Sequence, residues 1–154
     1  EYLQFASSRS TEKTETFDLS ELLIDTINKY EKKEIISNIP VRVYLDGRKN
    51  LIKRCIQNLM DNSIKYSNNI TVSLKKLESS LTITVDDDGP GIPKSERENV
   101  LKPFYKINKS RGDSKSSVGL GLSIASDIVR SHGGNLKLEN SPKNGLRVMI
   151  FLPF

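Results

Sequence analysis

The sequence predicts an α/β fold: a two-layer sandwich with a mixed, mostly antiparallel sheet of about five strands and about three helices on one face. Segments with apolar residues at helical spacing are separated by pairs of short alternating segments, in the order helix, two strands, helix, two strands, long loop, helix, two strands. Paired strands favour an antiparallel sheet, and the apolar stripe of each helix needs that sheet to cover it. A Rossmann fold, in which strands and helices alternate strictly, is excluded.

Length and composition limit the possible function classes. The 154 residues fit one domain with one core, and 36% hydrophobic and 28% charged residues are ordinary for a globular chain. The net charge of +5 is compatible with an anionic ligand such as a nucleotide. Because acidic and basic residues alternate along the chain, it does not predict nucleic-acid binding. Cys55 is the one cysteine, which excludes a disulfide, and its place on an apolar helix stripe predicts a core residue.

The first half of the chain is predicted to hold two helices and four strands. Residues 1–17 are mostly polar and are interpreted as the end of an incoming helix followed by a linker. Asp18 is predicted to cap a first helix that continues to about Lys33, with Glu21 placed as in a capping box. The other predicted elements are strands over 34–39 and 41–46, a second helix within 47–66, and strands over 70–74 and 81–85.

The second half is predicted to contain a long loop, one helix and a closing hairpin. Residues 95–101 could form a short helix, and residues 102–118 are a loop whose length is typical of a functional segment. Gly119 is predicted to begin the third helix, which ends before His132-Gly133-Gly134. The hairpin pairs 136–139 with 146–152, and the latter contains the longest apolar run, far too short to cross a bilayer.

One face of the second predicted helix carries side chains suited to a metal–phosphate complex. Asn58, Asn62 and Lys65 are three and four residues apart, so they share a face away from the apolar stripe. An amide oxygen suits a hard cation such as Mg²⁺, and a lysine suits phosphate oxygens. Taken alone, the pattern also fits an ordinary solvated helix face.

Two glycine-rich segments add features of nucleotide binding. In 86–91 (DDDGPG), a carboxylate at a strand end could accept a hydrogen bond from the amine of adenine, and the glycines would let a flat base approach the backbone. In 119–122 (GLGL), a helix start would offer free N–H groups to phosphate. Lys106, Lys109 and Arg111 precede it, either as a solvated loop or as a lid over a polyphosphate. Neither segment completes a P-loop or a dinucleotide-binding motif.

Together these motifs resemble the catalytic ATP-binding domain of bacterial two-component sensor histidine kinases, which belongs to a larger ATPase group with the gyrase B subunit. The resemblance covers residues 18–154 with an ATP lid at about 94–118, and residues 1–17 are similar to the end of the dimerisation helix and its linker. The run 51–54 is similar to that of the osmosensor EnvZ. The matched motifs, in the family's order, are the N box at 58–66, the first glycine box at 87–91, the F box at 103–104 and the second glycine box at 119–122.

The resemblance implies roles for individual residues. Asn62 would be the Mg²⁺ ligand, with Asn58 beside it on metal or phosphate, and Asp61 would be an auxiliary acid or base. Residues implied to contact ATP are Asn58, Asn62, Lys65, Tyr66, Asp87, Gly89, Gly91, Ile92, Lys106, Lys109, Arg111, Gly119, Leu120, Gly121 and Leu122, with Asp87 on the adenine amino group. The implied catalytic residues are Asn58, Asn62, Lys65 and Arg111.

The sequence also departs from the family pattern. Ser117 and Leu101 replace a usual glycine and a usual phenylalanine. His132, the only histidine, lies at a predicted helix end, so the phosphoacceptor histidine of the family is expected on a domain outside this chain. Asn58 stands where the related ATPases have a glutamate that activates water, which favours transfer to protein over hydrolysis.

The resemblance therefore implies an ATP-dependent protein histidine kinase domain that uses ATP and Mg²⁺. The γ-phosphoryl group would pass to a histidine of the kinase's own dimerisation domain and then to an aspartate of a response regulator, with no nucleic acid involved. The whole protein would be a homodimeric sensor of the bacterial inner membrane with this domain in the cytoplasm, and the fragment alone could be monomeric. The alternatives are a related ATPase, a serine kinase of the anti-sigma type, and a nucleotide-binding regulatory module that never transfers phosphate.

Overall fold

The computed structural model describes residues 12–31, 34–102 and 116–154, with the backbone alone for 116–120. The predicted sandwich is confirmed: the described part of the chain forms a five-stranded sheet and three α-helices, together with a two-stranded sheet. The elements are β1 Glu15–Asp18, α1 Leu19–Ile27, β2 Glu34–Asn38, β3 Tyr44–Gly47, α2 Lys49–Tyr66, β4 Asn69–Lys76, β5 Ser80–Asp87, α3 Ser116–Ser131, β6 Asn135–Asn140 and β7 Leu146–Pro153.

The five-stranded sheet has the order β2-β4-β5-β7-β6, in which β2 runs parallel to β4 and all other neighbours are antiparallel. Val72, Val85 and Val148 lie side by side in neighbouring strands and are buried on one face with the helices. The opposite face carries more polar residues, among them Asp86, which forms an ion pair with Arg147 at 2.7 Å. Successive residues of β5 therefore face opposite sides of the sheet.

Helix α1 begins as predicted and ends earlier. The Asp18 side chain accepts a hydrogen bond from the Glu21 N–H at 3.0 Å, which confirms the predicted N-cap. The helix ends at Ile27 instead of near Lys33. The N–H of Tyr30 bonds back to the carbonyl of Ile27, three residues earlier, because the last turn tightens before the chain turns toward β2.

Strand β1 is absent from the sequence prediction, which places residues 15–17 in the linker. It pairs antiparallel with β3, and Phe17 packs opposite Leu45 in the core. Polar neighbours surround this single aromatic residue, so the sequence lacks the alternation that indicates a strand. Strand β3 begins three residues later than predicted, because Arg42 adopts a positive φ of 59° that interrupts extended backbone.

The N-terminal end of α2 is capped from outside the helix. Arg48 occupies the N-cap position without a side-chain cap. The Glu12 carboxylate accepts hydrogen bonds from the N–H groups of Asn50 at 2.7 Å and Leu51 at 3.1 Å. These N–H groups have no partner within the helix, and an anion is favoured at this end of the helix dipole. Glu12 therefore joins the segment before β1 to α2.

The end of α3 is joined to the start of α2 by a contact between Arg48 and His132. The Arg48 N–H donates to Nε2 of His132 at 3.0 Å, and Nδ1 of His132 donates to the Ile128 carbonyl at 2.8 Å. The Arg48 side chain donates to the carbonyl of Ser131 at 3.0 Å. Both ring nitrogens are used by the neutral imidazole, and burial, the largest influence, lowers the pKa of His132. The structure thus assigns this histidine a packing role, as expected from its place before two glycines.

Three further predictions concern short segments and single residues. The short helix expected over 95–101 is found as two 3-10 helices, Lys94–Glu96 and Asn99–Leu101. They do not join into one helix, because only Val100 is buried among these residues and no apolar stripe supports a longer helix. Cys55 is confirmed as a core residue, and burial raises the pKa of its thiol to about 12. Among the described helices, none is long and apolar enough to cross a membrane.

The His132 contact predicts a loss of stability in mild acid. Because the fold lowers the pKa of His132, the unfolded chain binds a proton more readily, so the free energy of unfolding should fall as the pH drops below about 6.5. The slope would be at most about 1.4 kcal/mol per pH unit. Urea unfolding at pH 7.5 to 5.5 measures it, and His132→Gln should remove this pH step since the chain has one histidine. An unchanged step in the variant would contradict the assignment.

Candidate functional site

The carboxylate of Asp87 lies at the end of β5 on the side of the sheet that the helices cover. It is 4% exposed. Its Oδ1 accepts hydrogen bonds from the N–H groups of Leu146 at 2.9 Å and Gly89 at 3.0 Å, and its Oδ2 accepts one from the Ser63 hydroxyl at 3.3 Å. Burial, the largest influence, raises the pKa of Asp87, and these hydrogen bonds oppose the rise. From the described residues Oδ2 receives this one long hydrogen bond, so it can accept another donor.

The glycines around Asp87 are required by the packing of the backbone. A Cβ at Gly89 would lie 2.6 Å from the carbonyl oxygen of Tyr66, and one at Gly145 would lie 2.3 Å from both the backbone oxygen and Oδ1 of Asp87. Gly91 has a positive φ of 73°. The sequence predicts that the glycines of this segment allow close approach of a base, which stays a prediction. The structure adds that Gly89 allows close approach of the end of α2.

Asn58 and Asn62 lie on the side of α2 that meets α3. Asn58 is 9% exposed, and its amide nitrogen donates to the carbonyl of Gly121 at 3.5 Å, which leaves its side-chain oxygen for another partner. The Oδ1 atom of Asn62 is buried and receives no hydrogen bond from the residues that the structure describes. A buried amide oxygen without a donor is costly and is suited to a cation. The structure thus brings the two predicted asparagines to one place.

The other predicted residues of α2 and of the first glycine box lie beside this site. Lys65 is exposed in the last turn of α2 with its ammonium 5.7 Å from the centre of the Tyr66 ring. Tyr66 is half-buried and packs against the core, in which Ile92 is also buried. Leu122 is 0% exposed, so its side chain belongs to the core and not to a ligand surface.

The second glycine box differs from its prediction because α3 begins at Ser116, three residues before Gly119. Serine is favoured at helix starts, and Ser117 in place of a glycine allows the earlier start. Gly119 therefore lies within the first turn of the described helix and does not begin it. Leu120 and Gly121 follow within the helix, where N–H groups bond to the preceding turn. The predicted lid cations Lys106, Lys109 and Arg111 lie outside the described residues.

The Asp61 side chain binds a tyrosine from the segment that follows α1. Its carboxylate accepts a hydrogen bond from the Tyr30 hydroxyl at 2.6 Å, and this bond joins that segment to α2. Burial, followed by this carboxylate, raises the pKa of Tyr30. Asp61 therefore contributes to packing through Tyr30, and its role as an auxiliary acid or base stays a prediction.

Sequence reasoning missed three residues that hold Asp87 in place: Ser63, Gly145 and Leu146. Leu146, the first residue of β7, donates its N–H to Asp87 although it is 59 residues away along the chain, and Gly145 just before it leaves room for the carboxylate. Their signal in the sequence is the Asn144-Gly145 turn pair, which predicts a tight turn but not its contact with another strand. Ser63 lies within the N box at 58–66, and its small side chain is buried.

The family of the chain follows from a comparison with known proteins. Residues 47–154 match the family described as histidine kinase-, DNA gyrase B-, and HSP90-like ATPase, and this range holds the buried carboxylate and both asparagines. The chain belongs to this family. The assignment agrees with the resemblance drawn from the sequence motifs.

Individual members of the ATPase family narrow the comparison to sensor kinases. The chain is 37% identical over 123 residues to the sensor histidine kinase CpxA of Escherichia coli (strain K12), covering 79% of this chain and 27% of that protein. It is 33% identical over 141 residues to the sensor histidine kinase WalK of Bacillus subtilis (strain 168), covering 86% and 23%. A solved structure of the mycobacterial sensor histidine kinase MprB has a TM-score of 0.79 and 26% identity, covering 90% of this chain and 97% of that one.

The chain thus spans about a quarter of the length of the curated sensor kinases that it matches. Its fold is that of the ATP-binding domain of histidine kinases. The narrower resemblance to EnvZ stays a prediction.

Adding a methyl group at Gly145 should disrupt the site. In Gly145→Ala the new Cβ would lie 2.3 Å from Asp87, so the turn must shift, and we expect a loss of about 1–3 kcal/mol in the free energy of unfolding. The matched control is Gly121→Ala, where a Cβ meets no described atom within 4 Å and replaces a helical glycine. It should add about 0.5–1 kcal/mol. Chemical denaturation measures both, and equal losses would contradict the packing described here.

Proposed function

We propose that this domain binds Mg-ATP and transfers its γ-phosphoryl group to a histidine on the dimerisation domain of the same sensor kinase. The observation that carries the proposal is the pairing of two acceptors at adjacent positions. Ser63 donates a hydrogen bond to the Asp87 carboxylate, and the preceding residue of α2, Asn62, has a buried amide oxygen without a described donor. One acceptor suits an exocyclic amine and the other suits a cation, as an adenine nucleotide with its metal requires.

Asp87 would select adenine through its charge. A buried ionised carboxylate accepts hydrogen bonds and donates none, so it favours a ring that presents an amine over one that presents a carbonyl. The Leu146 and Gly89 N–H groups fix the orientation of the carboxylate before a ligand binds. This preorganisation reduces the cost of ordering the site upon binding.

Asn62 and Asn58 fit a magnesium site that is completed by the nucleotide. Mg²⁺ usually takes one or two protein oxygens and fills its remaining positions with phosphate oxygens and water. Among the described residues, no group of three histidine, cysteine or acidic side chains could hold a metal without such help. When bound, the ion would neutralise charge on the phosphates, which phosphoryl transfer needs. The family resemblance adds the lid cations Lys106, Lys109 and Arg111 and the Gly119 N–H group to the phosphate side.

Transfer to protein is favoured over hydrolysis by the residue at position 58. Asn58 carries no basic group that could remove a proton from water, and its nitrogen donates to Gly121. A neutral imidazole is a nucleophile that needs no strong base. Relay of the phosphoryl group to a response regulator, a dimeric membrane-bound parent protein and a cytoplasmic position for this domain are part of the same proposal, because the matched relatives are sensor kinases.

Replacing the adenine acceptor should abolish most ATP binding. Asp87→Asn turns an accepting oxygen into a donor, and the loss of a charged hydrogen bond worth about 1.5–3 kcal/mol would weaken binding of an ATP analogue by about tenfold to a hundredfold. The matched control is Asp86→Asn, which makes the same change on the opposite face of the sheet, where Asp86 pairs with Arg147. Titration calorimetry should show near wild-type affinity for this control. Equal weakening in both variants would argue against an adenine contact at Asp87.

The metal ligand and the transfer step are tested separately. Asn62→Ala should remove most of the gain in affinity that Mg²⁺ gives and should leave metal-free binding nearly unchanged.

The wild-type chain with labelled ATP should phosphorylate a separately purified dimerisation domain of the same kinase at its histidine. ATP binding without any transfer would support a regulatory nucleotide-binding module instead.

A further inference from the structure

Strand β2 forms one edge of the five-stranded sheet. In the described part of the chain it pairs with β4 alone, and its other side meets no strand. The opposite edge, β6, carries the charged side chains of Lys137 and Glu139, and charge is one means by which proteins protect an edge strand. The middle residues of β2, 35–37, are uncharged, and the strand contains no proline. This edge is therefore open to a further strand.

The backbone groups at the free edge of β2 can be identified from its pairing with β4. The N–H and carbonyl groups of successive residues in a strand point to opposite edges. The Glu34 N–H donates to the carbonyl of Asn68, just before β4, at 3.3 Å. Residues 34, 36 and 38 therefore direct their backbone groups toward β4, and those of Ile35 and Ser37 point away from the sheet. Each of these two residues offers one donor and one acceptor at the edge.

The side chain of Ile36 is exposed at the middle of this edge. It is 54% exposed, and its partner in the parallel register is Thr71, which pairs in turn with Asp86. Ile36 thus lies on the face of the sheet opposite the helices. Covering an isoleucine that is exposed to this extent is favourable, so a strand that joins this edge gains apolar contact as well as hydrogen bonds.

These features fit a second copy of the same strand. An antiparallel pairing about a two-fold axis at Ile36 places Ile35 of one copy opposite Ser37 of the other, so the outward donors and acceptors of both residues are paired. The two Ile36 side chains then lie side by side in a pair without backbone hydrogen bonds, in which side chains are closest. Glu34 lies opposite Asn38, so no like charges meet.

We propose that β2 is a contact site between two copies of this chain, whose five-stranded sheets join edge to edge through antiparallel pairing of residues 34–38. The contact is weak, because one short strand buries far less than the roughly 1,200–2,000 Å² of a stable interface. It forms where copies are concentrated, as when a larger assembly holds them close together. It needs neither a nucleotide nor phosphoryl transfer, so it is independent of the proposed function.

Cross-linking through single cysteines tests the pairing in the 154-residue chain. In Ile36→Cys the two thiols would lie on residues whose Cα atoms are about 4.5 Å apart, within the span of a disulfide. Under mild oxidation this variant should give at least about fivefold more covalent dimer than the matched control Leu77→Cys. Leu77 is similarly exposed, at 46%, and lies outside the strands. Wild type should give no dimer, because Cys55 is buried.

The register of the pairing is tested by mixing two variants. Glu34 and Asn38 face each other across the proposed pair, whereas neither residue faces its own copy. A mixture of Glu34→Cys and Asn38→Cys should therefore form mainly the mixed disulfide, and each variant alone should form as little dimer as Leu77→Cys. Mass spectrometry of the cross-linked peptides distinguishes the three products.

Association without a cross-link is measured by sedimentation over a range of protein concentrations. The average mass of wild type should rise with concentration. Ile36→Lys places two like charges opposite each other and should raise the apparent Kd of the dimer at least about tenfold. Leu77→Lys makes a similar change away from the edge and should associate like wild type. Both side chains are exposed, so urea unfolding should show both variants folded.

The outcomes decide the proposal directly. Equal cross-linking of Ile36→Cys and Leu77→Cys, or a mixture of Glu34→Cys and Asn38→Cys without preference for the mixed disulfide, overturns the pairing. Equal association of wild type and Ile36→Lys overturns it as well. Failure of the chain to bind ATP or to transfer phosphate would contradict the proposed function and leave this contact standing.

Discussion

A single buried carboxylate organises the nucleotide end of this domain. Asp87 ends a central strand on the helix side of the sheet, where a charge is tolerated only because three donors surround it. Those donors come from three separate segments: the last turns of α2, the turn after β5 and the start of β7. The close packing that brings them together admits no side chain at Gly89 or Gly145. The residue proposed to accept the amine of adenine is thus also the centre of the local packing.

The same helix is held firmly at its other end. Glu12 caps the first turn of α2, and His132 accepts the N–H of Arg48, so the starts of β1 and α2 and the end of α3 meet at one point. Asn58 and Asn62 lie on the part of α2 between these two sets of contacts. A rigid helix that is fixed at both ends can present several polar groups at defined separations, which suits a reaction that depends on alignment.

The sequence allowed the sandwich, the second helix and the pairing of the antiparallel strands to be predicted, because periodic apolar residues report directly on burial. The binding roles of Asp87 and of both asparagines are implied by the family resemblance of their motifs and stay proposals. Contacts between distant segments could not be predicted from the sequence. The cap from Glu12, the bond from Tyr30 to Asp61 and the pairing of Phe17 with Leu45 depend on partners 28 or more residues away. Local patterns carry no information on such partners, so the hydrogen bond between Tyr30 and Asp61 could not be predicted.

The order of strands in the sheet has a consequence for how the domain is made. Strand β7 is the last along the chain, yet it lies between β5 and β6 and bonds to both. The ribosome must therefore release residues up to Pro153 before the sheet can close, and the site residue Leu146 arrives with that same strand. Until then β5 and β6 each expose an unpaired edge that can join other chains. A protein cut short by even this one strand would lose both the continuity of its sheet and the backbone donor that holds Asp87.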